Sequence, residues 1–159
     1  MKQKVSDYIA DHIAEWGIRD VFTVTGGGAM HMNDAFGHHP KLHCTYQHHE
    51  QACAMAAEAY ARMDNRMAAV CVTTGPGATN AITGVLGGWM DSIPMLVFSG
   101  QARYATTVAA SGLKLRSMGV QECNIVPVCT DDHSSGRYPV SSGKSPLYGG
   151  ERTTGTGVA

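Results

Sequence analysis

Glu50 is the residue whose sequence surroundings point most directly to chemistry. It opens a predicted helix and is followed at 52–62 by the small-residue run ACAMAAEAYAR. Because alanine side chains are short, other backbone segments can approach this helix while the carboxylate stays fixed at its start. A carboxylate in that position also interacts favourably with the helix dipole, so a purely structural role remains an alternative for Glu50.

A glycine turn later in the chain is the second motif. A β-rich run ends at Thr73-Thr74, turns through Gly75-Pro76-Gly77 and enters another small-residue helix that contains Asn80. Glycine permits positive φ and close backbone approach, and Pro76 stiffens the turn. Together with Glu50, the turn predicts a pocket for a flat heteroaromatic ligand. Taken alone, a Gly-Pro-Gly turn is usually structural, and Asn80 can be a first-turn residue that satisfies backbone amides.

Helices and strands are predicted to alternate around these motifs. The predicted helices cover 2–16, 29–36, 50–63 and 78–90, and the predicted strands cover 21–24, 42–46, 67–73 and 94–99. The first helix has an apolar stripe of Val5, Ile9, Ile13 and Trp16, and Gly17 ends it. This alternation predicts an α/β fold, in which a parallel sheet is flanked by helices.

The carboxyl ends of the strands are where ligands bind in such sheets. The turn 26–28, Glu50, the turn 75–77 and the pair Gly100-Gln101 all fall at or just beyond predicted strand ends. We therefore expect them to converge on one site. The Ala-rich faces of the helices that begin near Glu50 and Ala78 are expected to pack against another copy or a partner.

Composition is that of an ordinary soluble domain. The chain has 159 residues, of which 43% are hydrophobic and 16% charged, and a net charge of −1. That charge predicts neither a nucleic-acid nor a membrane partner. Five cysteines without CxxC spacing indicate small core residues in a reducing compartment, and the cytoplasm is the expected location. The eight histidines show no HExxH spacing, so no metal site is predicted.

A series of short motifs matches a known family in order. HEQ, AYAR, TTGPGATN, DSIP and SGQ follow one another within residues 15 to 128. The pattern resembles the pyrimidine-binding domain of thiamine-diphosphate enzymes of the acetolactate synthase type. The resemblance implies that Glu50 is the catalytic acid, hydrogen-bonded to ring nitrogen N1′ of the cofactor's aminopyrimidine, which itself removes the C2 proton.

The same resemblance implies roles for eight further residues. Those expected to bind the cofactor together with Glu50 are Thr74, Gly75, Pro76, Gly77 and Asn80. Those expected near the substrate are Gly27, Gln101 and Gln121. Thr25 stands where relatives often carry proline, which weakens the expectation for the loop at Gly27.

The family also implies a partner domain. Its second domain carries a GDG…N segment that holds Mg²⁺, which in turn holds the diphosphate, and GDG does not occur in this sequence. We therefore expect a homodimer or a partner diphosphate-binding domain, and no activity from this chain alone. The expected reaction of the complete enzyme acts on 2-oxo acids. The alternatives are a stand-alone subunit that pairs with a separate diphosphate-domain chain, and a non-catalytic binding or regulatory module.

The last part of the chain differs in character. Residues 1–129 are predicted to form the pyrimidine-binding domain, and residues 130–159 an irregular tail rich in Ser, Gly and Thr. Permitted codons for 144–159, read from the second base, can encode KALYMAENGRPGPVWL, which resembles the family at the end of this domain. An out-of-frame origin of the tail is therefore a hypothesis.

Overall fold

The computed structural model describes residues 3–107 of the chain. Its helices are α1 (Val5–Glu15), α2 (Met30–His38), α3 (Glu50–Asp64) and α4 (Pro76–Met90), and its strands are β1 (Asp20–Thr23), β2 (His43–Tyr46), β3 (Ala68–Val72) and β4 (Met95–Ser99). Short 3-10 turns occur at Gly27–Ala29 and Tyr104–Thr106. Gln121, the cysteines at 123 and 129 and the predicted tail lie outside the described residues.

The four strands form one parallel sheet in the order β2-β1-β3-β4. In its registers Val21 on β1 lies between Cys44 on β2 and Ala69 on β3, and Val70 on β3 is opposite Val97 on β4. The predicted α/β fold is confirmed. From β1 the chain continues to β2 at one edge of the sheet, and from β3 it continues to β4 at the other edge. The segments that follow β1 and β3 therefore diverge. A crevice at the carboxyl ends of these two strands is the usual ligand position in such sheets.

Helices cover the sheet on both faces. One core packs α1 and α2 against one face and includes Ile13, Phe36 and Cys71. The other packs α3 and α4 against the opposite face and includes Ala57 and Val70. All five residues of β3 are buried, as expected for a strand covered on both faces.

Helix α1 differs from the predicted stripe at both ends. Ile13 is buried, but Val5 is 74% exposed and Trp16 is 69% exposed. Ser6 and Ala10 are buried instead, so the buried stripe of α1 runs through Ser6, Ala10 and Ile13 at helical spacing and leaves Val5 and Trp16 off it. Gly17 does end the helix, with φ at +85°, and the following Ile18 N–H donates to Ile13 O at 3.0 Å, which closes the last turn.

Helices α3 and α4 pack closely because small residues meet at their contact. A Cβ placed on Gly84 would lie 2.7 Å from Ala54 Cβ and 3.0 Å from the backbone nitrogen of Met55. The buried alanines of α3 therefore serve packing within the chain. Ala52 and Ala59 on the same helix are exposed, and the expected contact with another copy or a partner stays a prediction. The exposed side of this helix pair carries larger apolar side chains, namely Met55, Met63, Leu86 and Met90.

Candidate functional site

Glu50 occupies the first turn of α3, just after β2. The preceding residue, His49, is extended and caps the helix through its backbone only. Glu50 is half-buried, and its Oε2 accepts a hydrogen bond of 2.7 Å from Asn80 Nδ2 on α4. Both residues were predicted at the site from the sequence, and the structure brings them into contact across 30 positions of the chain.

The glycine turn after β3 forms the floor beneath this carboxylate. Gly75 has φ +64° and ψ −125°, a backbone conformation that is strained for any residue with a side chain. Pro76 starts α4. A Cβ on Gly77 would lie 3.3 Å from Glu50 Oε1 and 2.7 Å from Thr73 Cγ2. Helix α4 begins at Pro76 and not at the predicted Ala78, because proline is well suited to the first helical position.

Thr73 connects the turn after β3 to the loop after β1. Gly28 N–H donates to Thr73 Oγ1 at 3.1 Å, and a Cβ on Gly26 would lie 2.4 Å from Thr73 Cβ. Thr73 was not among the site residues predicted from the sequence. The signal that could have identified it is its position as the first residue after β3, directly before the glycine turn.

Three other predicted residues lie in this region, and two of them, Gln101 and Gly27, are exposed. Thr74 Oγ1 donates to Gln101 Oε1 at 3.5 Å, and Gln101 is exposed. Gly27 is also exposed, and a Cβ there would have no neighbour within 4 Å. The flanking Gly26 and Gly28 are the residues that lie close to Thr73 and Thr74. At position 27 there is room for a side chain.

Asn80 is not used to cap α4. The cap residue Gly75 makes no side-chain cap hydrogen bond, and the Asn80 amide instead lies between Glu50 and His49, with Nδ2 3.4 Å from His49 Nε2. The Asn80 amide group is therefore directed at the start of α3.

Two cysteines near the site, Cys53 and Cys71, have buried thiols. Burial first, and then the charge of Glu50, raises the pKa of Cys53 to about 11. Burial raises the pKa of Cys71 to about 12. Both are buried core cysteines, as expected, while Cys44 is half-buried. Within residues 3–107 no group of three or more His, Cys, Asp or Glu side chains could hold a metal ion.

The arrangement combines a hydrogen-bonded carboxylate and a glycine turn at the carboxyl ends of strands whose order reverses between β1 and β3. The sequence matches the family described as thiamine pyrophosphate enzyme, N-terminal TPP binding domain, over residues 3–127. The chain belongs to this family, whose cofactor is thiamine diphosphate, another name for thiamine pyrophosphate.

Its relatives include acetolactate synthases from bacteria and plants. It is 36% identical over 96 residues to the acetolactate synthase large subunit of Lactococcus lactis, covering 60% of this chain and 17% of that protein. It is 37% identical over 99 residues to acetolactate synthase 2, chloroplastic, of Zea mays, covering 62% and 16%. It is 35% identical over 123 residues to the acetolactate synthase isozyme 3 large subunit of Escherichia coli, covering 77% and 20%.

The chain thus corresponds to a fifth or less of the length of these relatives. Its matched segment is an N-terminal domain of the acetolactate synthase-like type. None of the helices within residues 3–107 is long and apolar enough to cross a membrane.

Proposed function

We propose that this chain binds the aminopyrimidine ring of thiamine diphosphate at the crevice beside Glu50, Gly77 and Asn80. One observation carries the proposal. The Glu50 carboxylate has Oε2 hydrogen-bonded to Asn80, whereas its Oε1 faces the space that a side chain at Gly77 would enter. A carboxylate held in this way can donate or accept a proton at a ring nitrogen that comes within hydrogen-bond distance.

The residues present fit this ring. Gly75 and Gly77 place no side chain beside the Glu50 carboxylate, and glycine permits the close backbone approach that a flat ligand requires. When bound, the cofactor supplies an aminopyrimidine base and an acidic C2 position. The proposed role of this chain is to hold the aminopyrimidine ring and to place the Glu50 carboxylate at ring nitrogen N1′. Thr74 and Gln101 are proposed to border the site, and Gly27 and Gln121 to lie towards the substrate.

Titration of the purified chain with thiamine diphosphate tests this proposal. We expect weak binding, because the diphosphate lacks its Mg²⁺ anchor, and we expect Glu50→Ala to weaken it about tenfold by removing one charge-assisted hydrogen bond. Ligand-detected NMR can measure both dissociation constants. Glu15→Ala, at the exposed end of α1, is the matched control and should bind as the unchanged chain does. Equal binding by the Glu50 variant would refute the proposal.

The complete enzyme is proposed to act on 2-oxo acids together with a diphosphate-binding domain. The relatives' names, their greater length and the family match support this. We propose that Mg²⁺ and the diphosphate are held by that second domain, contributed by a homodimer partner or another chain. Two alternatives remain open, a stand-alone subunit with a separate partner and a non-catalytic module. Adding a diphosphate-binding domain from a relative should restore tight cofactor binding in the first alternative but not in the second.

Two further proposals concern the chain's origin and location. We propose that residues 1–129 constitute the pyrimidine-binding domain and that 130–159 are read out of frame, supported by the family match ending at residue 127. Sequencing the DNA around codon 129 tests this. An alternative open frame that continues through GRPGPVWL into a GDG-containing segment is expected, and the absence of such a frame would refute it.

A reducing compartment such as the cytoplasm is proposed from the free thiols Cys44, Cys53 and Cys71.

A further inference from the structure

Asn80 reaches from α4 to the start of α3 and contacts two side chains there. Its Nδ2 lies 2.7 Å from Glu50 Oε2 and 3.4 Å from His49 Nε2. Asn80 itself is half-buried, whereas His49 is exposed. The amide therefore lies between the carboxylate and the imidazole, with both contacts made by the same nitrogen.

The chemistry of the three groups determines how the amide is turned. An ionised carboxylate only accepts hydrogen bonds, so the NH₂ end of Asn80 must face Glu50. The second N–H of the same nitrogen can be donated to His49 Nε2 when the imidazole proton is on Nδ1. In that tautomer both N–H donors of Asn80 are directed at side chains of this chain, Glu50 and His49.

The consequence falls on the two oxygens of Glu50. Oε2 is occupied by Asn80, and Oε1 lies on the side of Gly77, 3.3 Å from where a Cβ would stand. The geometry assigns Asn80 as a positioning residue, which holds Glu50 by Oε2 and so presents Oε1 to the ligand ring. This inference rests on the proposed function. It gives Asn80 a role through Glu50, in place of the direct cofactor contact expected from sequence.

A double-mutant cycle on the full 159-residue chain tests the assignment. The measured quantity is the dissociation constant for thiamine diphosphate in four proteins: the unchanged chain, Asn80→Ala, Glu50→Ala and the double variant. Asn80→Ala should weaken binding about tenfold, the effect of one hydrogen bond to a charged group. In the Glu50→Ala background the same change should alter binding by less than about twofold, since a residue that acts only through Glu50 has nothing left to position.

Asn80→Asp separates the donated hydrogen bond from side-chain shape. Aspartate matches asparagine in size but cannot donate when ionised, and it would place a second carboxylate beside Glu50. It should therefore bind at least as weakly as Asn80→Ala. Thr83→Ala, an exposed change one turn along α4, is the control and should leave binding unchanged. Thermal unfolding of every variant confirms that losses in binding are not losses of fold.

The outcomes distinguish this inference from the proposed function. Additive losses in the double variant would mean that Asn80 contacts the ligand itself, and would overturn the assignment. The same holds if Asn80→Ala or Asn80→Asp binds normally while Glu50→Ala does not; the proposed function then stands alone. If Glu50→Ala binds normally, both fall. A side-chain amide resonance of Asn80 that shifts in Glu50→Gln, before any ligand is added, would support the contact independently.

Discussion

At the scale of single residues, the contact between Gly77 and Glu50 decides whether the site can form. The space above Gly77 is limited by Thr73 on one side and by the carboxylate on the other. Thr73 is a short β-branched side chain that cannot turn aside easily, because its hydroxyl also accepts from the backbone of Gly28. The site therefore requires glycine at position 77, because any side chain there would clash with Thr73.

Gly77→Ala should both destabilise the chain and weaken ligand binding. The added methyl would lie 2.7 Å from Thr73 Cγ2, and overpacking of this kind costs about 1–3 kcal/mol. Urea unfolding measures the change in free energy. Gly27→Ala is the matched control: its methyl meets nothing within 4 Å, so its effect should stay within about 0.5 kcal/mol. Equal stability of the two variants would contradict the close contact described at Gly77.

The buried thiols should resist alkylation at neutral pH. Burial raises the pKa of Cys53 to about 11 and that of Cys71 to about 12, so the reactive thiolate is scarce until the pH approaches those values. Treatment with iodoacetamide at neutral pH, followed by peptide mass spectrometry, should leave both unmodified in the folded chain and modified in denaturant. Rapid modification of Cys53 in the folded chain would show that the α3 core is open.

At the scale of elements, the pair α3 and α4 positions the site, because Glu50 starts one helix and Asn80 lies in the other. Their separation is set by Gly84 and Ala54, and Arg62 near the end of α3 bridges Glu58 and Asp91, the residue that follows α4. These charged groups are partly exposed, so the bridge contributes little, whereas the glycine contact sets the distance.

Gly84→Ala should destabilise the helix pair. Its methyl would meet the Met55 backbone nitrogen at 3.0 Å and Ala54 Cβ at 2.7 Å, and α3 would have to move away. The expected loss is about 1–3 kcal/mol by urea unfolding. Gly87→Ala on the same helix meets only the flexible end of Glu58, at 3.3 Å, so it should be neutral or stabilising by up to about 1 kcal/mol, since alanine favours helix. Similar losses for both would contradict this packing.

Sequence patterns predicted all eight helices and strands of residues 3–107 to within a few residues, because each has its own apolar pattern and turn signal. They also placed Glu50, Gly75, Gly77 and Asn80 in one region. The contacts among these residues were not predictable, since Thr73 meets Gly26 and Gly28 of the loop after β1 only when β1 and β3 pair in the sheet. The ends of the α1 stripe were wrong because Ser6, Ala10 and Ile13 also recur at helical spacing, and a small or polar buried residue does not stand out in an apolar pattern.

At the scale of the whole molecule, the outer side of α3 and α4 is an apolar surface. Met55, Met63, Leu86 and Met90 are 46%, 84%, 47% and 71% exposed. Large apolar side chains exposed on neighbouring helices are candidates for an interaction surface. We propose that these side chains meet a second copy or the partner domain.

Sedimentation velocity should show concentration-dependent association of the chain. Met55→Lys with Leu86→Lys should shift it towards monomer, because two charges would have to be buried without partners. Val5→Lys is the control: it adds a charge at an exposed apolar position on α1, away from α3 and α4, and should leave association unchanged. A monomer at every concentration, with no binding of a hydrophobic dye, would contradict an interaction surface here.

Mapping where the ligand binds tests the central claim most directly. The folded chain also has a cleft of about 270 Å³ between α1 and α2, lined by residues that include Asp11, Asp34 and His39, on the other side of the sheet. Backbone amide NMR shifts of the chain, recorded as thiamine diphosphate is added, distinguish the two places. The account predicts that the largest shifts occur at Glu50, Gly77 and Asn80. Shifts confined to the α1–α2 cleft, or none at ligand concentrations that saturate ligand-detected binding, would contradict it.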